Sequence, residues 1–151
     1  MLSAGENAPE FSLKDQNENE VTLESLKGKK SLIIFVPFAF SGVCTGEICE
    51  LEANTSQLQE LDANVVVVSV DSAFSNAAWA KEQGVNIPVL ADFWPHGEVA
   101  KAFGNFNQEL GCANRTAFVL DKDGVVAKAI PSADIGSARS FTEYTEALSA
   151  I

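Results

Sequence analysis

The sequence predicts an α/β protein with a mixed central sheet and helices on both faces of that sheet. Three observations carry this prediction. First, Ser31-Leu32-Ile33-Ile34-Phe35-Val36 and Val65-Val66-Val67-Val68-Ser69-Val70 are nearly unbroken apolar runs, the pattern of strands buried on both sides. Second, the segment between them reads as a helix over about residues 42–61, with Cys44, Ile48, Leu51, Thr55 and Leu58 at spacings of 4, 3, 4 and 3. Third, Thr116-Ala117-Phe118-Val119-Leu120 and Val125-Val126-Ala127 flank Asp121-Lys122-Asp123-Gly124, a strong signal for an antiparallel hairpin. A strand-helix-strand unit followed by a hairpin gives a sheet of mixed direction.

The remaining elements follow in order. Phe11-Ser12-Leu13 and Val21-Thr22-Leu23 flank a polar turn over residues 15–20 and read as a short hairpin. A second helix is predicted over about residues 75–83, closed by Gly84. Ile87-Pro88-Val89-Leu90 predicts a short strand, residues 98–103 a short helix and residues 140–150 a terminal helix. The Asp-Lys-Asp-Gly turn echoes the start of a calcium loop, but the other ligand positions and the closing Glu are missing, so it reads as a plain turn. No repeat, low-complexity tract or linker interrupts the chain, and residues 1–151 are expected to form a single domain.

Composition narrows the function classes. Hydrophobic residues make up 46% and charged residues 21% of the 151 positions, enough for a real core. Ten basic residues face 21 acidic ones, a net charge of −11. That balance offers no basic face for nucleic acid and disfavours an anionic membrane surface. No apolar run approaches the roughly 20 residues of a membrane span. The first residues lack the basic and apolar regions of a secretory leader, so a cytoplasmic location is expected. The cysteines, Cys44, Cys49 and Cys112, are too few and odd in number for a secreted disulfide framework.

The chemistry concentrates between Pro37 and Cys49, where a buried strand gives way to a helix. Ligands of open α/β sheets usually bind at that edge. With Ser41 as N-cap, Cys44 falls in the first helical turn, where free backbone N–H groups and the helix dipole favour an anion. The alternative is a small buried hydrophobe, a common use of free cysteine. Ionisation alone would not make such a sulfur an enzyme. Moving a thiol from a pKa of about 8.5 to about 6 gains roughly 30-fold in thiolate at neutral pH and loses roughly 13-fold in nucleophilicity. A large acceleration therefore needs donors that meet the charge developing on the leaving atom.

Pro37-x-x-x-Ser41-x-x-Cys44, together with Arg115 opening a later strand, resembles the active-site pattern of the peroxiredoxins. Ala39-Phe40-Ser41-Gly42-Val43-Cys44, Asp92-Phe93-Trp94-Pro95-His96-Gly97 and Ala113-Asn114-Arg115-Thr116-Ala117-Phe118-Val119 are most similar to the alkyl hydroperoxide reductase E type. The resemblance runs from about Ala4 to Leu148. It implies a thioredoxin-like fold and a peroxidase that reduces hydrogen peroxide, organic hydroperoxides or peroxynitrite without metal or haem. Its electrons would come from thioredoxin, a glutaredoxin-like protein or a small thiol. On these residues it implies that Cys44 attacks the peroxide and becomes a sulfenic acid, and that the Ser41 hydroxyl holds the peroxide and the sulfur. Arg115 would keep the sulfur ionised and stabilise the parting oxygens, Pro37 would shield the site, and Glu47 would orient Arg115. A guanidinium fork suits that task because it meets two oxygens at once. Ser41 stands where the family usually has Thr, keeping the hydroxyl and losing the methyl that restricts its rotamer.

Cys49 departs from that type and matches the spacing of the bacterioferritin comigratory (Q-type) peroxiredoxins, which implies a resolving cysteine. On an ideal helix residues five apart have Cα atoms about 8.7 Å from each other, whereas a disulfide wants about 4.4–6.8 Å. A Cys44–Cys49 bond would therefore require the first turns to unwind; the other reading of Cys49 is a passive helix residue. Cys112 reads as a passive thiol. The spacing of Cys44, Cys49, Cys112 and His96 fits no paired zinc pattern. In relatives the segments near Phe40, Trp79 and Trp94 contribute to a dimer contact, so a homodimer is expected. Two other functions compete: a thiol-disulfide oxidoreductase, which would need Cys-x-x-Cys rather than Cys44-x4-Cys49, and a non-enzymatic binding module on the same fold.

Overall fold

The computed structural model describes residues 1–151. Its centre is a five-stranded sheet of β3 (Lys30–Phe35), β4 (Ala63–Ser69), β5 (Val89–Ala91), β8 (Thr116–Leu120) and β9 (Val126–Pro131), in the order β5-β4-β3-β8-β9. β3, β4 and β5 run parallel, whereas β8 pairs antiparallel with both β3 and β9. The sheet is mixed, as the patterning predicts. Two small hairpins lie outside it: β1 (Ser12–Lys14) with β2 (Glu20–Thr22), and β6 (Phe106–Asn107) with β7 (Cys112–Ala113).

Helices cover both faces. α2 (Gly42–Ala53), α3 (Thr55–Glu60), α4 (Ala73–Gln83) and α6 (Phe141–Ser149) pack on one, placing Ile48, Leu58, Trp79 and Leu148 against Leu32, Ile34, Val67 and Val119. α1 (Leu23–Leu26) and α5 (Glu98–Ala102) close the other, where Leu26, Val99 and Phe103 meet Ile33, Phe35, Val68 and Phe118. Odd and even positions of β3 thus go to opposite cores, which is why its sequence shows no polar alternation.

The single helix expected over residues 42–61 is two. Asn54 Nδ2 donates to Glu50 O at 2.8 Å and Thr55 Oγ1 to Glu52 O at 2.7 Å. Side chains that bond their own backbone compete with the helical ladder, and Asn54, at φ −110° and ψ 20°, ends α2 and begins α3. Smaller corrections concern limits. α4 starts at Ala73 because Ser72 Oγ accepts from Ser75 N and so caps it. The strand predicted over 87–90 pairs from Val89 to Ala91, and the last hairpin strand runs on to Pro131. The sequence pattern does not predict α1, β6 or β7.

The aromatic cluster opposite α2 offers a test of the core. Phe103 is fully buried, with its ring 5.2 Å from Phe35 and 5.0 Å from Phe118. Phe103→Ala should lower the unfolding free energy in urea by about 3–5 kcal/mol, the usual cost of emptying such a site.

Candidate active site

β3 delivers the chain to the site. Val36 N still donates to Val68 O at 3.0 Å, carrying the strand pairing one residue beyond β3. Pro37 is buried next to it and, having no N–H, leaves no orphan donor there. Ala39 N donates to Asp71 Oδ2 at 2.8 Å, tying this loop to the chain leaving β4. Phe40 then adopts φ +68°, a left-handed conformation that bulky residues rarely take and that gathers at functional sites. Ser41 follows as the N-cap of α2, but its hydroxyl donates to Phe38 O at 3.2 Å and caps no helical N–H. The N–H groups of the first turn therefore keep their dipole for an anion, and Cys44 is the third residue of that helix. Trp79 Nε1 donates to Thr45 Oγ1 at 3.0 Å, fixing the turn against α4.

The Cys44 sulfur is fully buried, and Arg115 Nη1 donates to it at 3.3 Å. The same Nη1 donates to Glu47 Oε1 at 2.5 Å, while Arg115 Nε donates to Ile135 O at 3.0 Å. Glu47 lies one helical turn beyond Cys44 on α2, the i,i+3 spacing that puts both on one face. A second guanidinium completes the arrangement. Arg139 Nε donates to Glu47 Oε2 and Nη2 to Glu47 Oε1, both at 2.9 Å, and the Arg139 backbone N–H adds a bond to Oε2 at 3.0 Å.

Burial by itself pushes the Glu47 carboxyl up, but the bonds and charge of Arg139, with the bond from Arg115, hold it below its ordinary 4.5. Burial likewise works against charge on Arg115, yet Glu47 and the Cys44 sulfur raise it above its ordinary value. Arg115 and Arg139 are the chain's only arginines. They bring two positive charges into the interior against the single negative charge of Glu47. A thiolate at Cys44 restores neutrality, and the bonded guanidinium then meets whatever oxygen approaches the sulfur.

The sequence thus singled out Pro37, Ser41, Cys44, Glu47 and Arg115, and the fold brings all five to the loop preceding α2, its first turns and the start of β8. It overlooked Arg139 and Asp71. Only the scarcity of arginine could have drawn attention to Arg139. Cys49 lies on an unbroken stretch of α2, half-buried, with its Sγ donating to Gln83 Oε1 on α4 at 3.5 Å. Cys112 is buried in β7, where burial, aided by the charge at Cys44, pushes its thiol up. His96 stands exposed, with Nε2 2.6 Å from Gly111 O. No group of three or more His, Cys, Asp or Glu side chains is placed to hold a metal ion, and no helix is long and apolar enough to cross a membrane.

A mixed five-stranded sheet that presents one buried cysteine at the amino end of a helix, gripped by an arginine, defines a thioredoxin-fold thiol protein. The chain belongs to the AhpC/TSA family, the peroxiredoxins, whose sequence pattern matches residues 4–129. It is 39% identical over 152 residues to alkyl hydroperoxide reductase E of Mycobacterium tuberculosis, covering 100% of this chain and 99% of that one. Among solved structures it is similar to AhpC of Enterococcus faecalis (TM-score 0.90, 30% identity, 99% of this chain and 92% of that one). It is also similar in fold to the peroxidoxin BcpB of M. tuberculosis (TM-score 0.88, 28% identity, 100% and 99% of the two chains).

Glu47 gives the site a pH signature. Because its folded pKa lies below 4.5, its contribution to stability is complete above that pH and is lost as pH falls through the folded value. Glu47→Gln should flatten this acid limb in denaturation curves. Near neutral pH it should also cost about 3–5 kcal/mol, since it leaves two buried guanidiniums without their carboxylate.

Proposed function

We propose that the protein is a thiol-dependent peroxidase in which Cys44 attacks the peroxide. The observation that carries this reading is the 3.3 Å bond from Arg115 Nη1 to the Cys44 sulfur. In the reaction the Cys44 thiolate donates an electron pair to the terminal oxygen of HO–OR, forming an S–O bond as the O–O bond breaks. The sulfur is oxidised to sulfenic acid, and RO⁻ departs and takes up a proton to become ROH. Arg115 faces the place where that oxyanion develops, and a donor already held there needs no reorganisation during the step. Glu47 and Arg139 keep the Arg115 fork aimed, Pro37 excludes water, and the Ser41 hydroxyl rotates from Phe38 O to the bound peroxide.

A second thiol then attacks the Cys44 sulfur and releases water, giving a disulfide that an external thiol reductant, such as thioredoxin, a glutaredoxin-like protein or a small thiol, returns to the start. Cys49 is the internal candidate for that role. Because Cys44 and Cys49 share one continuous helix, the disulfide forms only after the first turns of α2 open. Three free thiols suit a reducing compartment such as the cytoplasm.

The active form is a homodimer. Phe38, Phe40, Phe74, Phe93 and Trp94 are all exposed, Trp94 at 81%. Each belongs to the loops or helix start that leave the carboxyl ends of the parallel strands β3, β4 and β5. Such a concentration of exposed aromatics fits a protein interface. Trp94→Asp should convert the protein to a monomer in sedimentation.

Stopped-flow mixing of reduced protein with hydrogen peroxide tests the chemistry. Wild type should oxidise rapidly, Cys44→Ser should not react, and Arg115→Ala should slow the step by about 10²–10³-fold, the loss seen when one oxyanion donor is removed. Non-reducing mass spectrometry of the product should show a Cys44–Cys49 disulfide. A persistent Cys44 sulfenic acid beside free Cys49 would exclude the resolving role.

A further inference from the structure

Beside Glu47 lies a cavity of about 10 Å³ lined by Glu47, Glu50, Leu51, Arg139, Phe141 and Tyr144. Two of the lining residues each carry a buried polar atom with no protein partner: Arg139 Nη1 and Tyr144 Oη. Both residues are well buried, Tyr144 at 3% exposure and Arg139 at 6%. Orphaned buried donors cost free energy and are rare unless water satisfies them. A space of about 10–15 Å³ holds one water, provided that it offers two to four polar partners.

We propose that one ordered water bridges Arg139 Nη1 and Tyr144 Oη, making Tyr144 a positioning residue for the Arg115–Cys44 pair. The bonding closes. Burial keeps the Tyr144 phenol protonated, so its O–H and an Arg139 N–H both donate to the water oxygen. The water's hydrogens are left for Glu50, which lines the cavity and reaches solvent, because Glu47 already accepts four bonds. With Nη1 anchored, the Arg139 guanidinium cannot swing about its stem, and Nε and Nη2 stay on the two oxygens of Glu47. Glu47 in turn holds the Arg115 Nη1 that bonds Cys44. Tyr144, the only tyrosine in the chain, thus ties α6 to the sulfur through water, Arg139, Glu47 and Arg115. Its ring packs edge-on against Phe141 with centroids 6.2 Å apart, so Tyr144→Phe removes the oxygen and keeps the packing.

This role rests on the peroxidase reading, but the water does not. A high-resolution crystal structure of the wild type should show a density peak within hydrogen-bond distance of both Arg139 Nη1 and Tyr144 Oη; an empty site overturns the proposal. Tyr144→Phe should slow oxidation by peroxide about threefold to tenfold, the size of one ordinary hydrogen bond. It should change alkylation of Cys44 by iodoacetamide much less, because that reaction needs only the charge that Arg115 keeps beside the sulfur and no fork aimed at a leaving oxyanion. In an Arg139→Lys background, which keeps the charge but not the fork, Tyr144→Phe should slow peroxide no further. An unchanged peroxide rate in Tyr144→Phe, or peroxide and alkylation rates moving together as general loosening would produce, overturns the positioning role. A wild type inert to peroxide defeats the peroxidase reading, and the density alone then judges the bridge.

Discussion

Two guanidiniums and one carboxylate buried together leave an unmatched positive charge, and the site is organised around that imbalance. Burying an unpaired charge is costly, so the interior favours whatever supplies a second anion beside Arg115. Cys44 is the group in place to do so. The helix start adds to the same field, because no side chain caps the first turn of α2. Lysine would not serve in place of either arginine. Arg115 contacts Cys44, Glu47 and Ile135 from one planar group, and Arg139 grips both oxygens of Glu47. A single ammonium cannot reproduce that fork.

The fold brings these groups together from distant parts of the chain. β3 ends where α2 begins, which fixes Cys44 and Glu47 on the first turns of a helix lying across the sheet. β8 returns antiparallel beside β3, so Arg115, just ahead of β8, arrives at the same end of the sheet. The segment joining β9 to α6 contributes Ile135 and Arg139. Hairpin, crossover helix and the segment ahead of the terminal helix thus each supply one side of the site. Stability and reactivity are coupled here: Glu47, the residue that aims Arg115, is also the one whose loss would leave the interior charged.

Much of this was legible in the sequence, for physical reasons that differ from residue to residue. The runs around Ile33 and Val67 announce doubly buried strands because four or more apolar residues follow one another without polar alternation. The position of Cys44 after such a strand marks the helix start. The break at Asn54 was not legible, because Leu58 keeps the apolar spacing of α2 across it and the cause is a local side-chain bond. α1, β6 and β7 span four, two and two residues, too few for any periodicity to register. Arg139 sits in irregular chain before α6, where neither period nor motif singles it out. Only the folded geometry reveals that it shares Glu47 with Arg115.

The decisive quantity is the charge on one sulfur. Ultraviolet thiolate absorbance of the reduced protein at neutral pH, taken as the difference between wild type and Cys44→Ser, measures it directly. The account predicts a difference close to one thiolate per chain in the wild type, falling sharply in Arg115→Ala. Equal absorbance in wild type and Cys44→Ser would mean that the sulfur is protonated beside Arg115, and the electrostatic account of this site would be wrong.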